Sequence, residues 1–174
     1  LFLFVLGYGN YLKGEYTKAN EYNRKNYSLA LTLYGLKKQR TLLVIIQLIK
    51  DYIALGNDHM ASIEGEKAYS ISKDLLGENN DITLSVLELL AITYTNLGDN
   101  QKALETDQEI YKIRANKLGE YHLTSLSALF NIAEDLSLQG NHKEALRTMR
   151  KVYESRVLIL GDAHPDVFST LNKI

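Results

Sequence analysis

The chain has 174 residues and a formal net charge of −1; 45% of its side chains are hydrophobic and 24% are charged. Such a chain can bury a core, and its near-neutral charge does not favour a nucleic-acid partner. The absence of cysteine excludes disulfides, zinc–thiolate sites and cysteine nucleophiles.

Apolar residues recur at helical spacing along the chain, and glycine falls at the ends of these runs. The predicted helices are, in chain order, 1–13 and 16–34, 40–55 and 58–76, 82–97 and 100–118, 123–139 and 142–160, and a ninth that begins at Pro165. Because proline and β-branched runs are scarce, we expect almost no strand. Beyond the apolar residues 1–6, no stretch approaches the roughly eighteen apolar residues of a membrane span, so we expect no membrane partner.

The helix pairs repeat with a period of 42 residues, as the step from Gly14 to Gly56 shows. Four series of four residues keep this step: Gly14, Gly56, Gly98 and Gly140; Gly35, Gly77, Gly119 and Gly161; Ala19, Ala61, Ala103 and Ala145; Tyr27, Tyr69, Tyr111 and Tyr153. A fixed period of this length indicates stacked structural repeats. We therefore predict one repeat domain over 1–174, with units at about 1–40, 41–82, 83–124 and 125–166 and the start of a fifth at 167–174.

The block His164-Pro165-Asp166 lies between two predicted helices. Pro165 suits the first turn of a helix, where its missing N–H is not needed. His164 occupies the position that Asn80 and His122 hold in earlier units. We interpret the block as a joint between helix pairs rather than as a functional triplet.

A small residue followed by Tyr, Gly and Ala, here Ala91, Tyr94, Gly98 and Ala103, resembles the tetratricopeptide repeat. The longer period and the joint at 160–166 are similar to the kinesin-light-chain type of this family. The resemblance implies an all-α fold, namely a right-handed superhelix of antiparallel helix pairs. It also implies a concave groove, lined by the first helix of each pair, that binds a protein or peptide.

The resemblance places twelve side chains in that groove. They are Phe4, Tyr8 and Tyr11 in the first unit, Ile46, Gln47 and Lys50 in the second, Glu88, Ile92 and Asn96 in the third, and Phe130, Asn131 and Glu134 in the fourth. The early positions are mainly apolar and the later ones mainly polar, so we expect a polarised groove. The apolar part could instead contact repeats outside this sequence.

The remaining polar residues do not form a recognisable reaction centre. No two of the four histidines, His59, His122, His142 and His164, have the three- or four-residue spacing that places two ligands on one helix face. No nucleophile, base and orienting group can be identified together. We therefore expect no metal, no cofactor and no enzyme activity.

Three functions stay open, and the leading one is a scaffold that binds a protein or peptide. The alternative is a peptide-sensing regulatory domain that controls an effector domain outside this sequence, and the third is structural self-assembly. Domains attached in the full-length gene would separate the sensor from the scaffold.

Residues 1–6 are apolar on nearly every side, and a first helix without a partner begins at Pro165. We expect the sequence to be a fragment of a longer chain that self-associates through these terminal helices. A cytoplasmic location is the default expectation.

Overall fold

The computed structural model describes residues 2–174, and within this range every regular element is a helix. The helices are α1 (Phe2–Leu12), α2 (Tyr16–Tyr34), α3 (Gln39–Ala54), α4 (Asp58–Leu76), α5 (Asp81–Asn96), α6 (Asn100–Leu118), α7 (Leu123–Leu138), α8 (His142–Leu160) and α9 (Pro165–Leu171). The predicted helix pairs are confirmed, and each observed boundary lies within one residue of the predicted one. Leu1, where the first predicted helix starts, lies outside the described residues.

The periodic glycines mark the places where the chain leaves a helix. All eight of them have a positive φ, between 68° at Gly56 and 95° at Gly119. Glycine adopts this left-handed region without a steric penalty, whereas a side chain would be strained there. The repeat period therefore reflects a backbone requirement at both ends of each second helix.

The joints between repeats are built around helix caps. The side chains of Asn80, His122 and His164 each accept a hydrogen bond from the backbone N–H two residues later, at the first turns of α5, α7 and α9. Each cap satisfies a backbone donor that has no partner inside the helix. Pro165 occupies the first turn of α9, as predicted. The interpretation of 164–166 as a joint is confirmed.

The chain divides into two compact units, residues 1–97 and 98–174. In the first unit, the first helices α1, α3 and α5 lie side by side, with α2 packed against α1 and α3 and α4 packed against α3 and α5. The central helix α3 supplies the fully buried side chains Leu42, Ile45 and Ile49. Ala19 of α2 and Ala61 of α4, also fully buried, let these second helices approach α3 closely.

The second unit contains α6 to α9. Its core lies where α7 packs between α6 and α8, and α9 packs against α8. The core consists of Leu104, Leu129, Ile132, Leu136, Ala145 and Val152. Tyr111 and Phe130 are partly buried against it, so a periodic tyrosine packs between helices as the sequence predicts. That the repeats form a single domain over 1–174 stays a prediction.

Within residues 2–174, no helix combines the length and the apolar character needed to cross a membrane.

Candidate functional site

The predicted groove residues of the first repeat form an aromatic surface on α1. The rings of Phe4 and Tyr8 are stacked, with centroids 6.4 Å apart and an interplanar angle of 8°. Tyr11 meets Tyr16 edge to face at 5.3 Å. Phe4 and Tyr8 are 38% and 46% exposed. Since one face of each ring remains open, this surface can contact an apolar side chain of a ligand.

On α3 the predicted groove residues differ strongly in exposure. Ile46 and Gln47 are only 9% and 7% exposed, whereas Lys50 is exposed. Gln47 uses its amide inside the protein, because Nε2 lies 3.5 Å from Oδ1 of the buried Asp51. Ile46 and Gln47 therefore offer little side-chain surface, and Lys50 is the group on this helix that a ligand can reach.

Helix α5 presents one apolar and two polar positions. Ile92 is 49% exposed, and Glu88 is half-buried. The exposed Asn96 donates from Nδ2 to Oδ1 of Asp58, at the start of α4, over 2.9 Å. Asn96 thus connects the end of α5 to its own repeat, and Ile92 is the open apolar contact on this helix.

The predicted positions on α7 are already engaged by the chain itself. Phe130 is half-buried, and the guanidinium of Arg156 lies 5.2 Å from its ring centroid. Asn131 Nδ2 lies 3.4 Å from Asp107 Oδ1. Glu134 Oε1 forms an ion pair with Lys173 Nζ at 2.6 Å. The polar surface of α7 is therefore partnered, in contrast to the aromatic surface of α1.

Four buried polar residues near these positions were not singled out from the sequence. Asp51, Asp107, Asp135 and Arg156 are 0%, 4%, 3% and 7% exposed. One signal could have found two of them, because Asp51 and Asp135 interrupt apolar helix faces 84 residues apart, which is twice the period of 42. Arg156 carried no such signal.

Arg156 ties α8 to both neighbouring helices. It donates from Nη1 to Thr170 Oγ1 at 2.8 Å and to the backbone carbonyl of Asp166 at 3.3 Å, and from Nη2 to Ser127 Oγ at 3.3 Å. Burial lowers the pKa of Arg156, and the charge of Asp166 acts in the opposite direction. Arg114, one period earlier, makes the same kind of bond to the carbonyl of Thr124. These arginines therefore hold the first turn of the following helix.

No group of three or more His, Cys, Asp or Glu side chains among residues 2–174 is arranged to hold a metal ion.

Residues 82–156 match the family model of the tetratricopeptide repeat. Two crystal structures of a kinesin light chain-like protein from Podosopora anserina with nearly identical TPR-like repeats, one of them a point variant, are similar to this chain. They have TM-scores of 0.87 and 0.86 at 20% identity and cover 97% of this chain and 79% and 80% of their own. BtubC (BKLC) from P. vanneervenii has a TM-score of 0.82 at 17% identity, covering 94% of this chain and 65% of its own.

No curated protein matches the sequence. The tetratricopeptide recognition and the all-helical solenoid fold are confirmed by the family model and by the structural matches. At these identities the structural likeness shows the fold alone.

Proposed function

We propose that this tetratricopeptide repeat chain is a non-catalytic scaffold that binds a protein or peptide on the surface of its first helices. Tetratricopeptide repeats generally serve as protein-interaction scaffolds, since stacked helix pairs present a long surface to a partner. The proposal assigns ligand contact to the twelve positions inferred from the sequence, with the main apolar contribution from α1. Neither nucleic acid nor a membrane is a proposed partner.

The observation that carries the proposal is the aromatic surface of α1. Phe4 and Tyr8 stack on each other while keeping 38% and 46% of their surfaces exposed. Exposed apolar patches on folded proteins commonly mark interaction sites. Tyrosine is well suited to such contacts, because its ring buries a large area while its hydroxyl still reaches water or a hydrogen-bond partner.

Helices α1, α3 and α5 provide a continuous layer for an extended ligand within the first unit. Tyr8 and Ile92 occupy the same repeat register on α1 and α5, with Lys50 between them on α3. A ligand along this layer would meet apolar contacts at both ends and a cation in the middle. This pattern favours a segment with two apolar side chains that flank an acidic or hydrogen-bonding residue.

On α7 a basic ligand residue would have to displace Lys173 from Glu134. Because Glu134 and Lys173 are both substantially exposed, their ion pair stabilises the fold little and exchanging one ammonium for another gains little affinity. We therefore expect Glu134 to contribute less to binding than the aromatic residues of α1.

Selection of peptides from a random display library, followed by calorimetric titration of a selected peptide, tests the proposal. Tyr8→Ala is expected to weaken binding by about thirtyfold or more, the loss of a typical aromatic anchor. Glu134→Gln is expected to weaken it less than about threefold. The matched control is Tyr121→Ala, because Tyr121 is a 65% exposed tyrosine in the turn between α6 and α7.

Failure to select any peptide that binds reproducibly would refute the scaffold function. Equal losses from Tyr8→Ala and Glu134→Gln would contradict the leading part assigned to α1. A loss from Tyr121→Ala as large as that from Tyr8→Ala would place the binding surface elsewhere.

A further inference from the structure

A buried carboxyl group lies at the seam between the first and second repeats, where α2 packs against α3. Asp51 of α3 is fully buried. Asn23 of α2 donates from Nδ2 to its Oδ2 over 2.7 Å, and Gln47 lies 3.5 Å from its Oδ1. Both partners are neutral amides, so hydrogen bonds alone offset the burial of any charge on Asp51.

The seam between the third and fourth repeats, where α6 packs against α7, holds two carboxyl groups. Asp107 of α6 and Asp135 of α7 are 4% and 3% exposed and form a hydrogen bond with each other. Two ionised carboxylates are both acceptors, so this bond requires a shared proton. Oδ2 of Asp135 has no hydrogen-bond partner, and only the neutral amide of Asn131 reaches Asp107, over 3.4 Å. The pair is therefore arranged for a protonated state.

The two sites occupy one position of the repeat. Asn23 and Asp107 are 84 residues apart on the second helices, as are Asp51 and Asp135 on the first helices, and 84 is two periods. The seam between α4 and α5 carries Gly65 and Thr93 at this position. Thr93 satisfies its hydroxyl locally, by donating to the carbonyl of Leu89 at 2.7 Å. The chain thus contains two acidic seams and one uncharged seam of the same design.

The ionisable groups around Asp51 do not neutralise it. Tyr11 of α1 faces it, and the negative charge of Asp51 contributes to raising the pKa of that phenol, after burial and Tyr16. On α4 the ammonium of Lys67 is paired with Glu64 at 2.9 Å. Between α4 and α5 the hydroxyl of Tyr94 bonds to Glu66 at 3.0 Å. Lys50 on α3 itself is exposed.

Around the Asp107–Asp135 pair, the nearby charge is also negative. Glu134, the neighbour of Asp135 on α7, contributes to raising the pKa of Asp135. The two cations closest in the fold have other partners, since Lys173 pairs with Glu134 and Arg156 of α8 bonds to Ser127 and to α9. On α6, Arg114 reaches the carbonyl of Thr124 at the start of α7.

We propose that these carboxyl groups make the α2–α3 and α6–α7 seams responsive to pH: each seam is tight when its acid is protonated and loosens when the acid ionises. In a repeat protein, the contacts between neighbouring repeats carry much of the stability. A proton bound at the seam therefore acts directly on the coupling between repeats.

The direction of the effect follows from the protonation equilibria. Burial raises the pKa of Asp51 to about 6, although its hydrogen bonds from Asn23 and Gln47 act to lower it. Burial, the charge of Asp107 and the hydrogen bond to it raise the pKa of Asp135 to about 7. The folded chain thus binds more protons than the unfolded chain above about pH 4. Stability is fully present at about pH 4 and is lost as the pH rises through 6 and 7.

Thermal unfolding of the chain at pH 5 and pH 8, followed by circular dichroism, tests the proposal. The wild-type melting temperature is expected to be higher at pH 5, by about 5 °C or more. The double variant Asp51→Asn and Asp135→Asn should lose most of this difference, because an amide imitates the size and neutrality of a protonated carboxyl group. Asp162→Asn, which alters an exposed acid, should keep the wild-type difference.

Comparison with the wild type cancels the other groups that respond to acid. Protonation of His122 or His164 at Nδ1 would remove a helix-cap acceptor and oppose the effect, but it does so equally in all three proteins. An unchanged pH difference in the double variant would overturn the proposal.

Hydrogen exchange of the wild type gives a test that needs no variant to fold. After correction for the intrinsic pH dependence of exchange, amides of α2, α3, α6 and α7 should be better protected at pH 5.5 than at pH 7.5. Amides within α4 and α5 that lie along their shared seam should change less. Equal changes at the acidic and the uncharged seams would also overturn the proposal. Thr93→Asp should make the third seam pH-dependent, and no added dependence in a folded Thr93→Asp protein would count against it.

Discussion

Two glycines on one face of α1 differ in what an added methyl group would meet. A Cβ at Gly7 would lie 2.1 Å from Oδ1 and 2.6 Å from Cγ of Asn23. A Cβ at Gly9 would have no atom within 4 Å. Both glycines lie inside the helix, and neither has a positive φ. The substitutions Gly7→Ala and Gly9→Ala therefore differ in packing and not in backbone strain.

Gly9→Ala should stabilise the chain by about 0.5–1 kcal/mol, because alanine favours the helix over glycine. Gly7→Ala gains the same preference but displaces Asn23 by about 1 Å, since ordinary contacts between carbon atoms lie near 3.5 Å. Asn23 is held by its 2.7 Å bond to Asp51. Loss of a hydrogen bond to a charged group costs about 1.5–3 kcal/mol. The net effect of Gly7→Ala is a destabilisation of about 1–2 kcal/mol.

Thermal unfolding at pH 8, where Asp51 is ionised, measures the difference. Gly9→Ala should raise the melting temperature by about 1–4 °C, and Gly7→Ala should lower it by about 2–8 °C. In an Asn23→Ala background the obstacle is gone, so Gly7→Ala should become stabilising there. If Gly7→Ala raises the melting temperature of the wild type as Gly9→Ala does, the close approach of α1 to Asn23 is not what the structure describes.

Two further predictions concern a helix cap and self-association. His122→Ala should destabilise the chain by about 1 kcal/mol in urea unfolding, because it removes the acceptor for the backbone N–H of Thr124, whereas His122→Asn should be nearly neutral; equal losses from both variants would contradict the capping role. Phe2 and Leu12 are 75% and 67% exposed, so sedimentation should show concentration-dependent association that Phe4→Ser weakens. A monomer at high protein concentration would refute that association.

The helix pairs and their joints could be predicted from the sequence because they depend on local chemistry. Glycine permits the positive φ that ends each second helix, and every periodic glycine adopts it. Asn80, His122 and His164 cap their helices through a backbone N–H only two residues away. A residue type and its spacing are sufficient information for contacts of this kind. The 42-residue period then makes each unit's boundaries reinforce those of the others.

The candidate site could be predicted only as a register. Position on a first helix gives the direction of a side chain, but the neighbouring helices decide how much of it remains accessible. Tyr8 and Ile92 are open, whereas Gln47 is buried against Asp51. Glu134 is engaged by Lys173, a residue 39 positions later whose proximity no local pattern reveals.

The buried acids show the same division between local and tertiary information. The period alone relates Asp51 to Asp135. Only the packing of α2 on α3 gives Asp51 an amide partner, and only the packing of α6 on α7 places Asp107 beside Asp135. Protonation depends on burial and on neighbouring charges, which are set by side chains brought together from different helices. The sequence therefore determined where the repeats begin and end, and the tertiary structure decided which seams carry a titratable proton.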